Sequence, residues 1–288
     1  MKTLLFYLKV SRPGLWFPTL WLYMMPLSGV EFWNNGLFWL GLFYVLFPMN
    51  FMVYGWNDIV DYEADKLNPR KDSYLFGARG SKEQLKKMIP AIVLSQLLIY
   101  PIFIFMVGWQ IAIIYGAQLL VMWAYNFPNK GLRSMPPFEM LCQFGYVLVV
   151  PFSIYVNGVD ALPWQTYAYL AMFAVQSHLM GEVMDIEPDK QAGKTTTATQ
   201  LGMAATKWII MSLVLTESIW VWYFYKDIFF AAMLLAGVIW LLLDYFVIFK
   251  NRQYTLKEMN LFGIGTNLVA LASMAYVLWS GCLSEIRI

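Results

Sequence analysis

Charged side chains are scarce in this sequence, and so are the residues on which many metal sites and disulfide-rich folds depend. Only 13% of the 288 residues are charged, against about 25% in an ordinary soluble domain. The chain has one histidine and two cysteines, Cys142 and Cys282, which form no CxxC pair. These shortages argue against a zinc site or a disulfide framework and predict two buried free thiols. The net charge of only +2 gives no reason to expect nucleic acid as a partner.

Apolar residues in long runs take the place of the missing charges. Hydrophobic residues make up 60% of the chain and aromatic residues 18%, and a membrane-spanning helix needs about 20 largely apolar residues. We therefore predict an all-α, polytopic membrane protein in which residues 1–288 form a single domain, a bundle of nine transmembrane helices. The nine segments are 14–31, 37–56, 88–107, 109–127, 138–157, 164–184, 206–225, 228–249 and 259–281.

Lysine and arginine are distributed unevenly over the links between these segments. All 20 of them except Lys226 and Arg287 lie on one side, in the N-terminal segment and in alternate links. By the positive-inside rule, that side is cytoplasmic and includes the loops at about 57–87 and 185–207. The apolar run at the N-terminus is too short for a signal peptide, so residues 2–12 are expected to lie along the membrane surface. The expected location is a bacterial inner membrane.

Four acidic residues fall within eight positions directly after the second apolar segment. Acidic residues at the end of a membrane helix are costly and require an explanation. We call residues 57–65 the first acidic segment. If the helix continues through it, Asp58, Asp61 and Asp65 share one face, because they recur at steps of three and four residues. Such stacked carboxylates favour a magnesium site, since magnesium takes oxygen ligands and often bridges carboxylates to phosphate.

A second acidic segment, residues 182–189, follows the sixth apolar segment on the same side of the membrane. Two facing acidic stripes can hold two or more magnesium ions, and these ions can bind a diphosphate that the acids alone would repel. The alternative is that both segments are merely solvated, charged helix ends. Four side chains here are spaced four, three and four residues apart, again on one helical face: His178, Glu182, Asp185 and Asp189.

Basic and polar residues beside the two acidic segments are candidates for binding the diphosphate. The alternative is that the basic ones, like Arg133, only follow the positive-inside rule. Pro128 ends the fourth segment where a polar pocket could open, so the residues just before it could contact metal-bound water or diphosphate, although a plain helix stop is the alternative. The candidates are Asn57, Arg70, Lys71, Tyr125, Asn126, Lys130, Lys190 and Lys194.

The spacing Asn57-Asp58-x-x-Asp61-x-x-x-Asp65 resembles the NDxxDxxxD signature of UbiA-type intramembrane prenyltransferases. Asp185-x-x-x-Asp189 resembles the second DxxxD motif of that family, and Ser11-Arg12-Pro13 and the Tyr125…Pro128…Lys130 turn are similar to further family patterns. The resemblance implies nine helices around a central chamber, with both motifs at its cytoplasmic mouth. It also implies that five aspartates, supported by Asn57, hold the metal ions: Asp58, Asp61, Asp65, Asp185 and Asp189.

The implied activity is the magnesium-dependent transfer of a polyprenyl group from an allylic prenyl diphosphate to a lipophilic acceptor in the lipid membrane. The acceptor would be an aromatic or quinone precursor or a carotenoid. The sequence Asn68-Pro69-Arg70-Lys71 is more similar to that of carotenoid-modifying members, such as lycopene elongases, than to that of quinone-pathway members. The expected catalytic residues are Asp61, Tyr125, Lys130 and Asp185.

Two other functions remain open at this stage. One is a terpene cyclase of the same family, in which the prenyl cation closes on itself. The other is a transporter that uses Glu217 and Asp244, which lie inside the seventh and eighth segments. The sequence assigns no role to these two acids or to His178. A transferase that uses CDP-alcohols is disfavoured, because its pattern requires an Asp-Gly pair and this chain has none.

Overall fold

The structure is a computed structural model that describes residues 2–128 and 131–287. Within these stretches it consists of helices without a β-strand, so the predicted all-α class is confirmed. In chain order, helices α1 to α13 are Lys2–Val10, Phe17–Met24, Gly36–Leu46, Pro48–Val60, Tyr62–Leu67, Lys82–Val107, Trp109–Asn126, Phe144–Val147, Val149–Asn157, Trp164–Gln191, Thr197–Tyr225, Ile228–Leu243 and Leu256–Ser280. Short 3-10 helices and one π-helical turn complete the set: Pro13–Leu15, Met25–Leu27, Leu132–Ser134, Phe138–Gln143 and Asp244–Ile248.

The helices confirm a multi-pass membrane protein but not the predicted number of spans. The predicted segment 14–31 is divided into short helices, and 109–127 and 164–184 fold as α7 and α10, which are not among the stretches that are long and apolar enough to count as spans. Six helical stretches of the described chain are long and apolar enough to cross a membrane: Gly36–Val60, Lys82–Val107, Phe138–Asn157, Thr197–Tyr225, Ile228–Ile248 and Leu256–Ser280.

Local sequence determines where the long helices begin and end. Ser81 and Gln84 form a reciprocal capping box at the start of α6, and Thr196 and Thr199 form another at the start of α11. Gly158 adopts a left-handed conformation directly after α9 and ends that helix. Because α11 begins only a few residues after the second acidic segment, the short connection from α10 to α11 is held close to that segment.

Aromatic residues fill the interior, and apolar side chains also cover the outside. Tyr23, Tyr44 and Phe103 are fully or almost fully buried, whereas Phe105 is 88% exposed. An outward-facing surface of this kind suits lipid rather than water. Both cysteines are free and buried, which confirms the prediction for the thiols.

The loop between α5 and α6 folds back and holds the N-terminal segment against the end of α4. Main-chain hydrogen bonds between Ser73 and Gly77 close this loop. Gly77 has a φ of 98°, and a Cβ atom there would lie 2.9 Å from the side-chain Nε of Arg12. Glycine at this position therefore lets Arg12, itself in a left-handed conformation with φ 53°, approach the loop closely.

A buried ion pair joins α11 to the π-helical turn that follows α12. Lys207 Nζ lies 2.8 Å from Asp244 Oδ2, and Tyr254 Oη donates to the same oxygen at 2.8 Å. Lys207 and Asp244 are 0% and 2% exposed, so each charge depends on the other. Glu217, ten residues beyond Lys207 in α11, is fully buried, and neither of its carboxylate oxygens has a hydrogen-bond partner within residues 2–128 and 131–287.

Removing one member of this buried pair should destabilise the protein. Lys207→Met leaves the Asp244 carboxylate buried without its cation, a change that typically costs about 3–5 kcal/mol. We expect a clear fall in the free energy of unfolding, measured by denaturant titration in detergent micelles. Lys66→Met, which removes an exposed pair with Glu63 at 3.1 Å, is the control and should change little. Equal effects of the two substitutions would contradict the role assigned to Lys207.

Candidate functional site

The two acidic segments meet at one end of the helix bundle. Lys194 Nζ lies 3.2 Å from Asp61 Oδ2 in the first segment and 3.9 Å from Asp189 Oδ1 in the second. Lys194 reaches both because the chain turns back after α10, where its main-chain N–H donates to the Asp189 carbonyl at 2.8 Å. One lysine thus links two carboxylates that are 128 positions apart in the sequence.

The helix does not continue unbroken through the first acidic segment. Asp61 has φ −89° and ψ 14°, which ends α4 and separates it from α5. Asp58 and Asp65 still share a partner, because Lys71 Nζ lies 2.6 Å from one carboxylate and 2.7 Å from the other. Asp61 faces cations from other parts of the chain. The three aspartates therefore form two neighbouring pockets rather than one stripe.

The first pocket surrounds Asp58, which is 1% exposed. Its Oδ1 atom lies 2.9 Å from an Arg12 nitrogen and 2.6 Å from Lys71 Nζ. The Arg12 guanidinium also stacks 4.2 Å over the Tyr54 ring. Burial alone would lower the pKa of Arg12, but Asp58, Tyr54 and Asp65 together outweigh burial and the pKa is raised. The other oxygen, Asp58 Oδ2, has no partner in the described part of the chain and remains available to a ligand.

The second pocket surrounds Asp61. Arg133 Nε donates to its Oδ1 at 2.7 Å, while Asn57 Nδ2 donates to its Oδ2 at 3.1 Å beside Lys194. Burial by itself would raise the pKa of Asp61, but Lys194 and Arg133 together lower it below its usual value. Asp61 is therefore an ionised carboxylate held between two cations.

Two other carboxylates of the site are less well compensated. Burial raises the pKa of Asp65 to about 6 although Lys71 opposes it, and burial raises the pKa of Asp189 to about 7 although Lys194 opposes it. Further cation charge at these positions would favour the ionised forms. Their environment thus suits a ligand that brings positive charge.

Asp185 joins the second acidic segment to the loop after α5. Asn68 Nδ2 donates to its Oδ1 at 2.9 Å, and Arg70 forms an ion pair with its other oxygen. Arg70 also lies 4.6 Å over the Phe76 ring. The predicted basic residue Arg70 is therefore part of the site and stands beside an acid from the opposite segment.

The remaining predicted residues have different outcomes. Asn126 is 1% exposed, donates to a carbonyl of its own helix, and leaves its Oδ1 without a partner in the portion of the chain described. Tyr125 precedes Asn126 at the end of α7 and is partly buried. Lys190 is exposed and joins none of the ion pairs found in the described ranges. Lys130 lies outside the described residues.

Two cations that contact predicted acids, Arg12 and Arg133, were not among the predicted site residues, although Arg133 was one of the basic residues considered. Arg12 precedes its partner Asp58 by 46 positions, and Arg133 follows its partner Asp61 by 72 positions. Periodicity carries no information over such distances. The one local signal was the Ser-Arg-Pro sequence around Arg12, at the edge of the first apolar segment.

The donor atoms of the site suit a hard cation that takes only some of its ligands from the protein. No group of three His, Cys, Asp or Glu side chains within residues 2–128 and 131–287 is placed to hold a metal ion alone. The available atoms are carboxylate and amide oxygens, including the partnerless Asp58 Oδ2 and Asn126 Oδ1. Magnesium characteristically takes one or two carboxylates together with water and phosphate oxygens. The residues therefore fit a magnesium–phosphate group better than a cage made of protein ligands alone.

Comparison with known sequences gives a consistent result. The model of the UbiA prenyltransferase family matches residues 15–279. A lycopene elongase/hydratase of Corynebacterium glutamicum is 27% identical over 209 residues, 70% of this chain and 71% of the relative. One of Haloarcula japonica is 29% identical over 236 residues, 76% and 77% of the two chains. A 4-hydroxybenzoate octaprenyltransferase of Pseudoalteromonas atlantica is 24% identical over 190 residues, 65% and 63% of the two chains.

Comparison with solved structures identifies the same fold. A UbiA homolog from Archaeoglobus fulgidus bound to DMAPP and Mg2+ has a TM-score of 0.70 and 18% identity, over 94% of this chain and 97% of that chain. The homolog bound to GPP and Mg2+ has a TM-score of 0.69 and 17% identity, with the same coverage. At this level of identity the likeness establishes the shared fold.

Neutralising Asp61 and Asp189 should change stability in opposite directions. A carboxyl whose pKa is lowered in the fold stabilises the fold when ionised, and one whose pKa is raised destabilises it when ionised. At pH 8 with a chelator present, Asp61→Asn should lower the thermal unfolding temperature in detergent, and Asp189→Asn should raise it. The gain from Asp189→Asn should shrink as the pH falls from about 7 towards 4, because the native carboxyl then takes up its proton.

Glu187→Gln, an exposed position in the second acidic segment, is the matched control and should leave the unfolding temperature unchanged at every pH. A lower unfolding temperature for Asp189→Asn at pH 8 would contradict the assignment. It would mean that the contact with Lys194 outweighs the cost of burying the Asp189 charge.

Proposed function

This chain belongs to the UbiA prenyltransferase family, and from that premise we propose that it transfers an allylic prenyl group from its diphosphate to a polyene hydrocarbon of the lycopene type. The enzyme is an integral, multi-pass membrane protein. The observation that carries the proposal is the convergence of two acidic segments and their cations at one end of an otherwise apolar bundle. Such an end suits a diphosphate, and such an interior suits a prenyl tail and a hydrocarbon acceptor.

The charged end is proposed to bind the diphosphate together with two or more magnesium ions. When bound, magnesium would stabilise the negative charge that develops on the leaving diphosphate. The proposed metal-holding residues are Asp58, Asp61, Asp65, Asp185 and Asp189. Diphosphate contacts are proposed for the predicted residues and for the two arginines that the geometry adds: Asn57, Arg70, Lys71, Asn126, Lys130, Lys190, Lys194, Arg12 and Arg133.

The reaction is proposed to start with ionisation at this end. The allylic carbon–oxygen bond breaks, and its electron pair leaves with the diphosphate, whose charge Arg70, Lys71 and Lys194 stabilise. A double bond of the acceptor then attacks the allylic cation. Tyr125, at the end of α7, helps to enclose the reacting carbon, since water would otherwise capture the cation.

A hydrocarbon acceptor is favoured by what the interior lacks. Within the nine apolar segments Lys207 is the only lysine or arginine, and Asp244 already pairs with it. An aromatic carboxylate placed there would be a buried charge without a partner, which is costly. Tyr44, Tyr100 and Phe152 instead line a small pocket between α3, α6 and α9. Aromatic faces stabilise cations without offering water a route to them.

The topology is proposed to contain nine spans in one domain covering residues 1–288. The short helices of 14–31, α7 and α10 would add three spans to the six apolar stretches. The N-terminus and the loops 57–87 and 185–207 are proposed to be cytoplasmic in a bacterial inner membrane. The distribution of lysine and arginine over the links supports this orientation.

Removing a carboxylate of either acidic segment should abolish turnover. Asp61→Ala and Asp185→Ala should each reduce diphosphate release at least 100-fold, about the effect of losing one electrostatic contact to a transition state. The measurement is diphosphate release in lipid nanodiscs, with folding checked by gel filtration. Glu187→Ala is the matched control and should retain full activity. Full activity of either aspartate variant would refute the two-segment assignment.

The acceptor is identified by product analysis in the same nanodiscs. A series of prenyl diphosphates is offered with lycopene or with 4-hydroxybenzoate, in magnesium and in chelator. Magnesium-dependent formation of a prenylated polyene supports the proposal. Prenylation of 4-hydroxybenzoate alone would replace the acceptor class, and release of a cyclic prenyl hydrocarbon without an acceptor would identify a cyclase.

A further inference from the structure

Helix α10 carries a second polar group further into the membrane than its acidic end. His178 Nε2 lies 3.1 Å from Glu182 Oε1, and His178 Nδ1 lies 2.8 Å from Gln143 Nε2. The other oxygen of Glu182 accepts a hydrogen bond from the Ala198 N–H at 3.0 Å. Glu182 is 6% exposed. The contacts with Glu182 and Gln143 fix the position of the imidazole. Nothing in the diphosphate-binding role requires this arrangement.

These two side chains, the His178–Glu182 pair, lie on the same face of α10 as Asp185 of the acidic site. Seven residues separate His178 from Asp185, so the two lie on one face of α10, two turns or about 10 Å apart. Between them, a Cβ atom at Gly181 would meet no atom within 4 Å. Ser177 is exposed although α10 packs between other helices. An opening therefore runs along α10 from Asp185 to His178.

Helix capping alone does not explain the pair. The first N–H groups of α11 are already served by two carboxylates, because Glu139 Oε1 accepts from the Thr197 N–H at 2.8 Å and Glu182 Oε2 accepts from Ala198. Glu182 thus performs its capping with one oxygen. Its second oxygen, Oε1, remains directed at His178, which contributes nothing to the cap.

We propose that the His178–Glu182 pair accepts the proton that is lost in the last step of the prenyl transfer, an inference that rests on the proposed function and deepens it. The diphosphate leaves at the acidic end, whereas the carbon that finally loses a proton belongs to the acceptor and lies deeper in the opening. A base on α10 about two turns below Asp185 is in position to take the proton from that carbon.

The allylic carbon–oxygen bond breaks, its electrons leave with the diphosphate, and a π bond of the polyene supplies the electron pair of the new carbon–carbon bond. The polyene then carries a tertiary cation. A neighbouring carbon–hydrogen bond breaks, its electrons form a new double bond, and the proton passes to His178 Nδ1, whose hydrogen bond from Gln143 breaks in the same step.

The hydrogen bonds around the imidazole suit this role. Because Gln143 Nε2 donates to Nδ1, the imidazole proton is placed on Nε2, which lies 3.1 Å from Glu182 Oε1 without hydrogen-bond geometry. Once Nδ1 takes the proton, Glu182 stabilises the resulting imidazolium, as a carboxylate does for the histidine of a hydrolase triad. Water attack on the same cation would also deliver its proton to Nδ1, and would give an alcohol.

The test separates ionisation from proton removal. Wild type, His178→Phe and Ser177→Ala are compared in nanodiscs with a prenyl diphosphate and lycopene, with diphosphate release and prenylated polyene measured in single turnovers. His178→Phe should release diphosphate within about threefold of wild type but form about tenfold less prenylated polyene, with prenyl alcohol in its place. Ser177→Ala, the matched control at the adjacent exposed position of α10, should behave as wild type.

Other outcomes overturn the inference. If His178→Phe forms the same proportion of prenylated polyene as wild type, the pair is structural, even if the unfolding temperature falls. If His178→Phe does not fold, His178→Gln gives the same readout, because an amide can still donate to Glu182 but cannot take up a proton. If wild type itself forms no prenylated polyene, the proposed function fails and the inference falls with it.

Discussion

Charge compensation across long sequence distances is the interaction on which the charged end of this protein depends. Asp58 and Asp61 are buried at the ends of helices, and a buried carboxylate that loses its partner costs several kcal/mol. Their partners come from the N-terminal segment, the link after α7 and the link after α10: Arg12, Arg133 and Lys194. The same contacts that keep these acids ionised therefore hold distant parts of the chain together at one end of the bundle.

This balance also accounts for a site that contains as many acids as bases although its proposed ligand is an anion. A magnesium diphosphate brings both signs of charge. Carboxylates that are now paired with lysine and arginine can turn to the metal, and the released cations can turn to phosphate oxygens. No net charge has to be buried in the exchange. Asp65 and Asp189, whose pKa values burial raises, are the carboxylates that gain most from the added positive charge.

The sequence predicted the local parts of the site and failed on the contacts between distant parts. Both acidic segments were identified, because their spacing and their position after apolar runs are local features. The break at Asp61 was not predicted, since helical periodicity does not say where a helix ends. Lys190 and Lys194 were both predicted as diphosphate contacts, with Lys190 favoured because it is closer to the apolar segment. Because α10 ends at Gln191, Lys194 turns back to Asp189 while Lys190 is exposed. The nine-span count likewise relied on composition, which does not reveal that 14–31 folds as short helices.

The order of side chains along α10 corresponds to the order of events in the proposed reaction. Asp189 and Asp185 stand at the charged end, where the diphosphate leaves. The His178–Glu182 pair follows, and still deeper Phe173 packs 5.7 Å from the Trp21 ring. Polarity thus decreases in the direction in which the carbon skeleton extends. A proton acceptor placed at the boundary between the polar and aromatic parts can remove a proton from the product cation, while the cation itself remains in the part of the bundle that contains least water.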